Sequence, residues 1–123
     1  MMKKTRSPLA EAYFRFLQLA KAFHADPAAI IMDANERALL DAVALRWFED
    51  RPMTVREAIA LEHLGSPATL HKRISRLRQK EMLVAFNQEG DRRAKYLIPS
   101  EKTLDMFDEL GGHMHKVHQP VAV

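Results

Sequence analysis

Two clusters of basic side chains in this chain could do chemistry on a polyanion. The first follows Ser66-Pro67-Ala68-Thr69 and comprises His71, Lys72, Arg73, Arg76 and Arg78, with Ser75 among them. The second is Arg92-Arg93, preceded by Gly90-Asp91 and followed by Lys95. Guanidinium and ammonium groups donate to phosphate oxygens and to base edges, and hydroxyl and imidazole donors can do the same. Residues 66–95 hold eight Lys or Arg against three acids, an excess of five, whereas the whole chain carries only +3, so the remainder is net negative by two. A cationic run on its own is most often a solvated helix face. Here two runs flank a pair of short helices, and that arrangement points to nucleic acid.

The elements that must position these groups are legible from their punctuation. Ser66 is a good N-cap and Pro67 suits the first helical position, where no amide partner is needed. Leu70, Ile74 and Leu77 fall at i, i+4 and i+7 and make one apolar stripe, which leaves the basic residues on the other sides. Before this helix, Thr54 and Glu57 form a capping-box pattern, and Val55, Ala58 and Ile59 are the buried set of a helix running to Leu61. The short connection Glu62-His63-Leu64-Gly65 joins the two as a helix-turn-helix. Leu83–Asn87 and Ala94–Ile98 are β-rich runs around Gly90-Asp91, a hairpin signature, with Pro99 ending the second strand. Met53 predicts a minimal strand that pairs with this hairpin.

With these residues in view, positions 33–110 resemble a winged-helix regulator of the MarR type. The resemblance is carried by Ser66-Pro67-Ala68-Thr69 opening the second helix, Arg76-Leu77 near its end, and Asp91-Arg92-Arg93 in the wing. It implies that Asp91 orients Arg93 and that Arg93 enters the minor groove. It also implies a homodimer, promoter occupancy with repression as the commoner outcome, and in many relatives release by a small aromatic ligand or an oxidant. Oxidation at cysteine is excluded, because the chain has none. An inducer pocket between the dimer helices and the winged core stays open. The chain departs from the family at Glu81, where glycine is usual. Glu81 must then take a left-handed conformation, at about 1 kcal/mol, or end the helix differently. Pro99-Ser100 stand where Leu-Thr is usual, and the region after Ser100 is short for the family's C-terminal helices.

Docking of such a helix by its N-terminal half assigns roles along it. Ala68, His71 and Lys72 are expected at base edges, and Ser66, Thr69, Arg73 and Arg76 at phosphates. Arg73 and Lys72 could exchange roles. Arg92 and Lys95 are expected on the backbone, and Arg93, held by Asp91, in a narrow minor groove.

The rest of the chain supplies a scaffold. At 123 residues it forms one unit with a modest core, without cysteine and without an apolar run of the ~18 residues needed to span a membrane. A cytoplasmic protein is the default expectation. After a short tail to Arg6, Ser7-Pro8 opens a helix to about His24, with Leu9, Tyr13, Phe16, Leu17, Ala20 and Phe23 on a broad apolar face. Ala25-Asp26-Pro27 breaks it, and Ile30-Ile31-Met32 forms an apolar link. Asp33 and Glu36 cap a further helix to about Glu49, whose Leu39, Leu40, Val43, Trp47 and Phe48 are expected in the core. Ser100 caps a last helix carrying Leu104, Phe107 and Leu110, with Gly111-Gly112 as its stop. The histidines of His113-Met114-His115-Lys116-Val117-His118 match no zinc spacing and are expected in a solvated tail, so no metal is assigned.

The expected fold is thus mainly α with a small β-hairpin (α+β), a winged helix-turn-helix with flanking N- and C-terminal helices. Residues 1–32 form a dimerisation element, 33–99 the winged domain, and 100–123 a C-terminal helix and tail. The excess apolar surface at Leu9, Tyr13, Phe16, Leu17 and Ala20, together with Phe107 and Leu110, is expected at a homodimer interface. Phosphate loops, nucleophile elbows and metalloprotease helices are missing, so neither an enzyme nor a cofactor is expected. The expected function is sequence-specific binding of double-stranded DNA by a homodimeric transcriptional repressor. Two alternatives stay open: a winged-helix adaptor for proteins, and a plasmid or phage replication or partition factor.

Overall fold

The computed structural model describes residues 7–24 and 31–118. Among them are five helices and three strands: α1 (Pro8–His24), α2 (Ala34–Phe48), β1 (Met53–Thr54), α3 (Val55–Ile59), α4 (Pro67–Gln79), β2 (Leu83–Asn87), β3 (Lys95–Pro99) and α5 (Glu101–His118). The expected α+β layout is present. The expected breaks at Arg6 and at Ala25-Asp26-Pro27, and the placement of Ile30, lie outside the described residues.

Helix starts follow their caps closely. Ser7 Oγ accepts from the Ala10 amide at 3.3 Å. Asp33 and Glu36 form a reciprocal capping box, as do Thr54 and Glu57. The Glu36 amide donates to Asp33 Oδ1 at 2.7 Å, and this bond above all holds the Asp33 carboxyl below its ordinary 3.8. The Thr54 amide does the same for Glu57, below its ordinary 4.5. A carboxyl depressed in the folded state stabilises above its unfolded value and loses that contribution as pH falls through the folded one. Urea midpoints should therefore be level above about pH 5 and drop below about pH 4. An Asp33→Asn, Glu57→Gln double variant should show a shallower drop over the same range.

The end of α4 is a Schellman turn. Met82 donates its amide to Leu77 O at 2.8 Å and Glu81 donates to Arg78 O at 3.0 Å. Met82 and Leu77, the apolar pair of that motif, are both fully buried. Glu81 sits at φ 61°, so of the two ways open to it at this position the chain takes the left-handed one. Glu81→Gly should relieve the clash of its Cβ and raise stability by up to about 1 kcal/mol in a denaturant titration.

Packing centres on α2 and α4 against the sheet. Leu39, Leu40 and Val43 meet Leu70, Ile74 and Leu77, with Ala58 of α3, Met53, Leu83 and Leu97 of the strands and Met106 of α5. The antiparallel sheet has the order β1-β3-β2. Register runs from Leu83 opposite Pro99 to Asn87 opposite Lys95, and Met53 faces Leu97. The minimal strand at Met53 is therefore real, and Pro99 closes β3 rather than lying beyond it. One ion pair crosses the core: Lys80 Nζ lies 2.8 and 2.9 Å from the two carboxylate oxygens of Glu36, whose side chain is almost wholly buried.

Several expectations are corrected by tertiary context. Trp47 is only half-buried and Phe48 is 77% exposed, so the α2 core ends at Ala44. Ile31 is exposed while Met32 is buried. The first helix of the helix-turn-helix stops at Ile59, and a 3-10 turn over Glu62–Leu64 makes the connection. On α5 the buried positions are Thr103 and Met106, flanked by half-buried Leu104, Phe107 and Leu110. Thr103 Oγ1 donates to Met82 O at 2.6 Å, which anchors α5 to the turn after α4. Gly111-Gly112 does not stop α5, which continues to His118. Neither glycine has a positive φ, and a glycine inside a helix costs only about 1 kcal/mol of propensity. The stretch read as a solvated tail is thus helical. Among the described residues no group of three metal-ligating side chains converges, and no helix is long and apolar enough to cross a membrane.

Candidate nucleic-acid interface

Ser66 Oγ accepts from the Thr69 amide at 3.3 Å and donates to Thr69 Oγ1 at 2.9 Å, which fixes the start of α4. With Leu70, Ile74 and Leu77 buried, the helical period turns Ala68, Lys72 and Ser75 directly outward. His71 and Arg78 flank that face on one side and Arg76 on the other. All six are exposed, and Thr69 is half-buried.

Arg73 is the exception. Its guanidinium turns back and donates to Leu64 O at 2.6 Å. It also lies against Gly65, where an added Cβ would sit 3.1 Å from Nη1. Gly65 has φ 152°, so both conformation and space favour glycine there. Through this bond Arg73 acts as a strut that holds the turn before α4. The capping and stripe signals could not show this, because the partner is a backbone carbonyl on the preceding element.

The wing is equally local in its construction. Phe86 and Tyr96 pack against each other across the hairpin, with ring centroids 5.8 Å apart and the rings tilted by 35°. Asp91 Oδ1 accepts from the backbone amide of Arg93 at 2.9 Å. Asp91 therefore positions Arg93 through its main chain rather than by pairing with its guanidinium. Arg92, Arg93 and Lys95 are exposed.

A groove of about 680 Å³ opens between α4, the start of α3 and the root of the wing. It gathers Arg56, His71, Arg78, Arg92, Arg93 and Lys95, over a floor that includes Ile74 and Val55, and no acidic side chain lines it. Five cations face one cleft, where low-dielectric walls concentrate the field and attract a polyanion. His71, Arg92, Arg93 and Lys95 were candidates from sequence, whereas Ala68, Lys72 and Arg76 stand outside the groove on the exposed helix surface. Ser75 and Arg78 belonged to the basic face of the helix but had no contact assigned to them, and Arg56 was missed altogether. Arg78 lies seven residues, two helical turns, after His71, and that spacing was the available signal. Arg56 is the second residue of α3, and no local pattern ties it to the groove.

No family model matches the chain, and no curated protein matches it in sequence. Solved structures do. A MarR-like transcriptional regulator from Thermotoga maritima superposes with a TM-score of 0.63 at 19% identity, covering 92% of this chain and 79% of that one. MarR itself superposes with a TM-score of 0.54 at 12% identity, covering 90% and 78%. NadR, solved in complex with 4-hydroxyphenylacetate, gives 0.54 at 14% identity, covering 94% and 79%. Over about nine-tenths of its length, the chain has the winged-helix fold of MarR-like transcriptional regulators.

Proposed function

We propose that this chain is a MarR-type transcriptional regulator that binds duplex DNA as a homodimer. The observation that carries the proposal is the groove in which the second helix of the helix-turn-helix and the wing converge, lined by Arg56, Arg78, Arg92, Arg93 and Lys95 without an acid. In this reading α4 lies in the major groove, with Ala68, His71 and Lys72 at base edges and Ser66, Thr69 and Arg76 at phosphates. Arg93, positioned by Asp91, enters the minor groove, while Arg92, Lys95, Arg56 and Arg78 meet the backbone.

The dimer is supported by α1. Leu9, Tyr13, Phe14, Phe16 and Leu17 are all exposed along it, an apolar surface larger than a lone helix keeps in water. Of the other residues proposed for that interface, Ala20 is half-buried, and Phe107 and Leu110 already pack against the chain's own core. A two-fold pair would read half-sites about 34–36 Å apart. Binding over a promoter gives repression. An inducer would enter the open groove of about 960 Å³ between α2 and α5, lined by Trp47, Phe48 and Phe107. The complex of NadR with 4-hydroxyphenylacetate supports a small aromatic molecule as the class of inducer.

Selection of bound genomic fragments, followed by titration of the recovered duplex across a salt series, tests the proposal. Promoter fragments, a twofold footprint and a slope of about −0.9 per phosphate contact are expected. Salt-independent binding, or no binding, would remove it in favour of a protein-interaction role.

A further inference from the structure

The cations that meet at the wing root repel one another until a polyanion arrives, so the hairpin tip has to be held by contacts that leave the guanidinium groups free. We propose that Asn87 is the positioning residue of the wing: its side-chain amide brackets Arg93 and sets where both wing arginines stand. The inference rests on the DNA-binding reading given above.

Asn87 is the last residue of β2 and pairs with Lys95. Its Nδ2 donates to Arg92 O at 3.2 Å and to Ala94 O at 3.0 Å. These carbonyls belong to the residues on either side of Arg93, so one amide group grips the backbone around that arginine. From the other side, the Arg93 amide donates to Asp91 Oδ1 at 2.9 Å, and the Asp91 amide donates to Gln88 O at 2.9 Å. None of these four bonds uses a guanidinium, so the side chains of Arg92 and Arg93 are left to DNA. Asparagine suits the task because its amide offers two donors and no charge. Aspartate would turn acceptors toward two carbonyls, and alanine would offer nothing.

A clamp of this kind lowers the ordering cost of binding without adding a contact to the ligand. Its loss therefore leaves the bound complex, and the number of counterions released, unaltered. This separates a positioning residue from a contact residue. Fluorescence anisotropy with a labelled duplex over about 50–200 mM salt reads both affinity and slope. Asn87→Ala should bind about 5- to 20-fold more weakly at every salt concentration, with the wild-type slope. Arg93→Ala should weaken binding and also flatten the slope by about 0.9. In the free protein, the Arg93 amide should exchange with solvent faster in Asn87→Ala, with an unchanged melting temperature. Wild-type affinity in Asn87→Ala, or a slope flattened as in Arg93→Ala, overturns the assignment. If the wild-type chain shows no salt-dependent duplex binding at all, the DNA reading itself fails, a result distinct from a silent Asn87 variant.

Discussion

Replacing Arg56, Arg78 and Arg93 together by alanine should lower duplex affinity by at least about 100-fold near 0.1 M salt and flatten the log–log salt dependence by up to about 3. The three residues come from three elements, the start of α3, the later half of α4 and the wing, and meet only in the folded groove. Each phosphate contact releases roughly one condensed counterion, so each lost guanidinium should remove about 0.9 from the slope. The residues are exposed, so the fold should survive the triple change and the melting temperature should move little. Arg51 serves as the control, since it is exposed, pairs with Glu49 and does not line the groove. Arg51→Ala should leave both affinity and slope close to wild type. The single Arg56→Ala variant is the most telling of the set, because nothing in the helix pattern alone marks Arg56 for DNA. A triple variant that keeps the wild-type slope would show that the groove is not where phosphate is met.

Lys80→Met should destabilise the fold by about 2–3 kcal/mol, or roughly 10 °C in melting temperature. Glu36 is 2% exposed, and both of its oxygens take hydrogen bonds from the Lys80 ammonium. Removing the ammonium leaves a buried carboxylate whose remaining partner is the Asp33 amide, 3.2 Å from Oε1. The cost falls below the 3–5 kcal/mol of a fully enclosed pair, because about a third of the Lys80 side chain is reached by water. The double variant Glu36→Gln, Lys80→Met should recover most of the loss, since glutamine keeps the capping acceptor without a charge. Equal destabilisation by the single and double variants would sink this account. The pair also matters for recognition. It ties the start of α2 to the residue that closes α4, while Thr103 and Lys102 of α5 bond Met82 O and Lys80 O on the same turn. The orientation of the second helix is thus set at its far end as well as by Arg73 at its near end.

How far the sequence could be read depended on the range of the interaction involved. The three capping signals at Asp33, Thr54 and Ser66 each act within one turn, and all three helices start where those residues say. Leu70, Ile74 and Leu77 show their common face through helical period alone, and they are the buried residues of α4. The hairpin around Gly90-Asp91 was local in the same way.

Other features depended on neighbours distant in sequence. Phe48 continues the apolar pattern of α2, yet no element lies over it among the described residues, and it stays exposed. Gly111-Gly112 reads as a stop, yet the helix continues, since two glycines lower propensity without blocking the backbone. Arg73 has the composition of a phosphate ligand, and its bond to Leu64 O on the preceding element is invisible in the helix pattern. Arg56 and Arg78 have the composition of ordinary surface charge and instead face the wing. Hydrogen bonds within a turn and the periodicity of one helix are properties of adjacent residues, so the chain order alone determined where α2, α3 and α4 start, their caps and the buried stripe of α4. Which cations share a cleft, and which are used up inside the protein, depends on how those elements pack, and only the tertiary structure decided that.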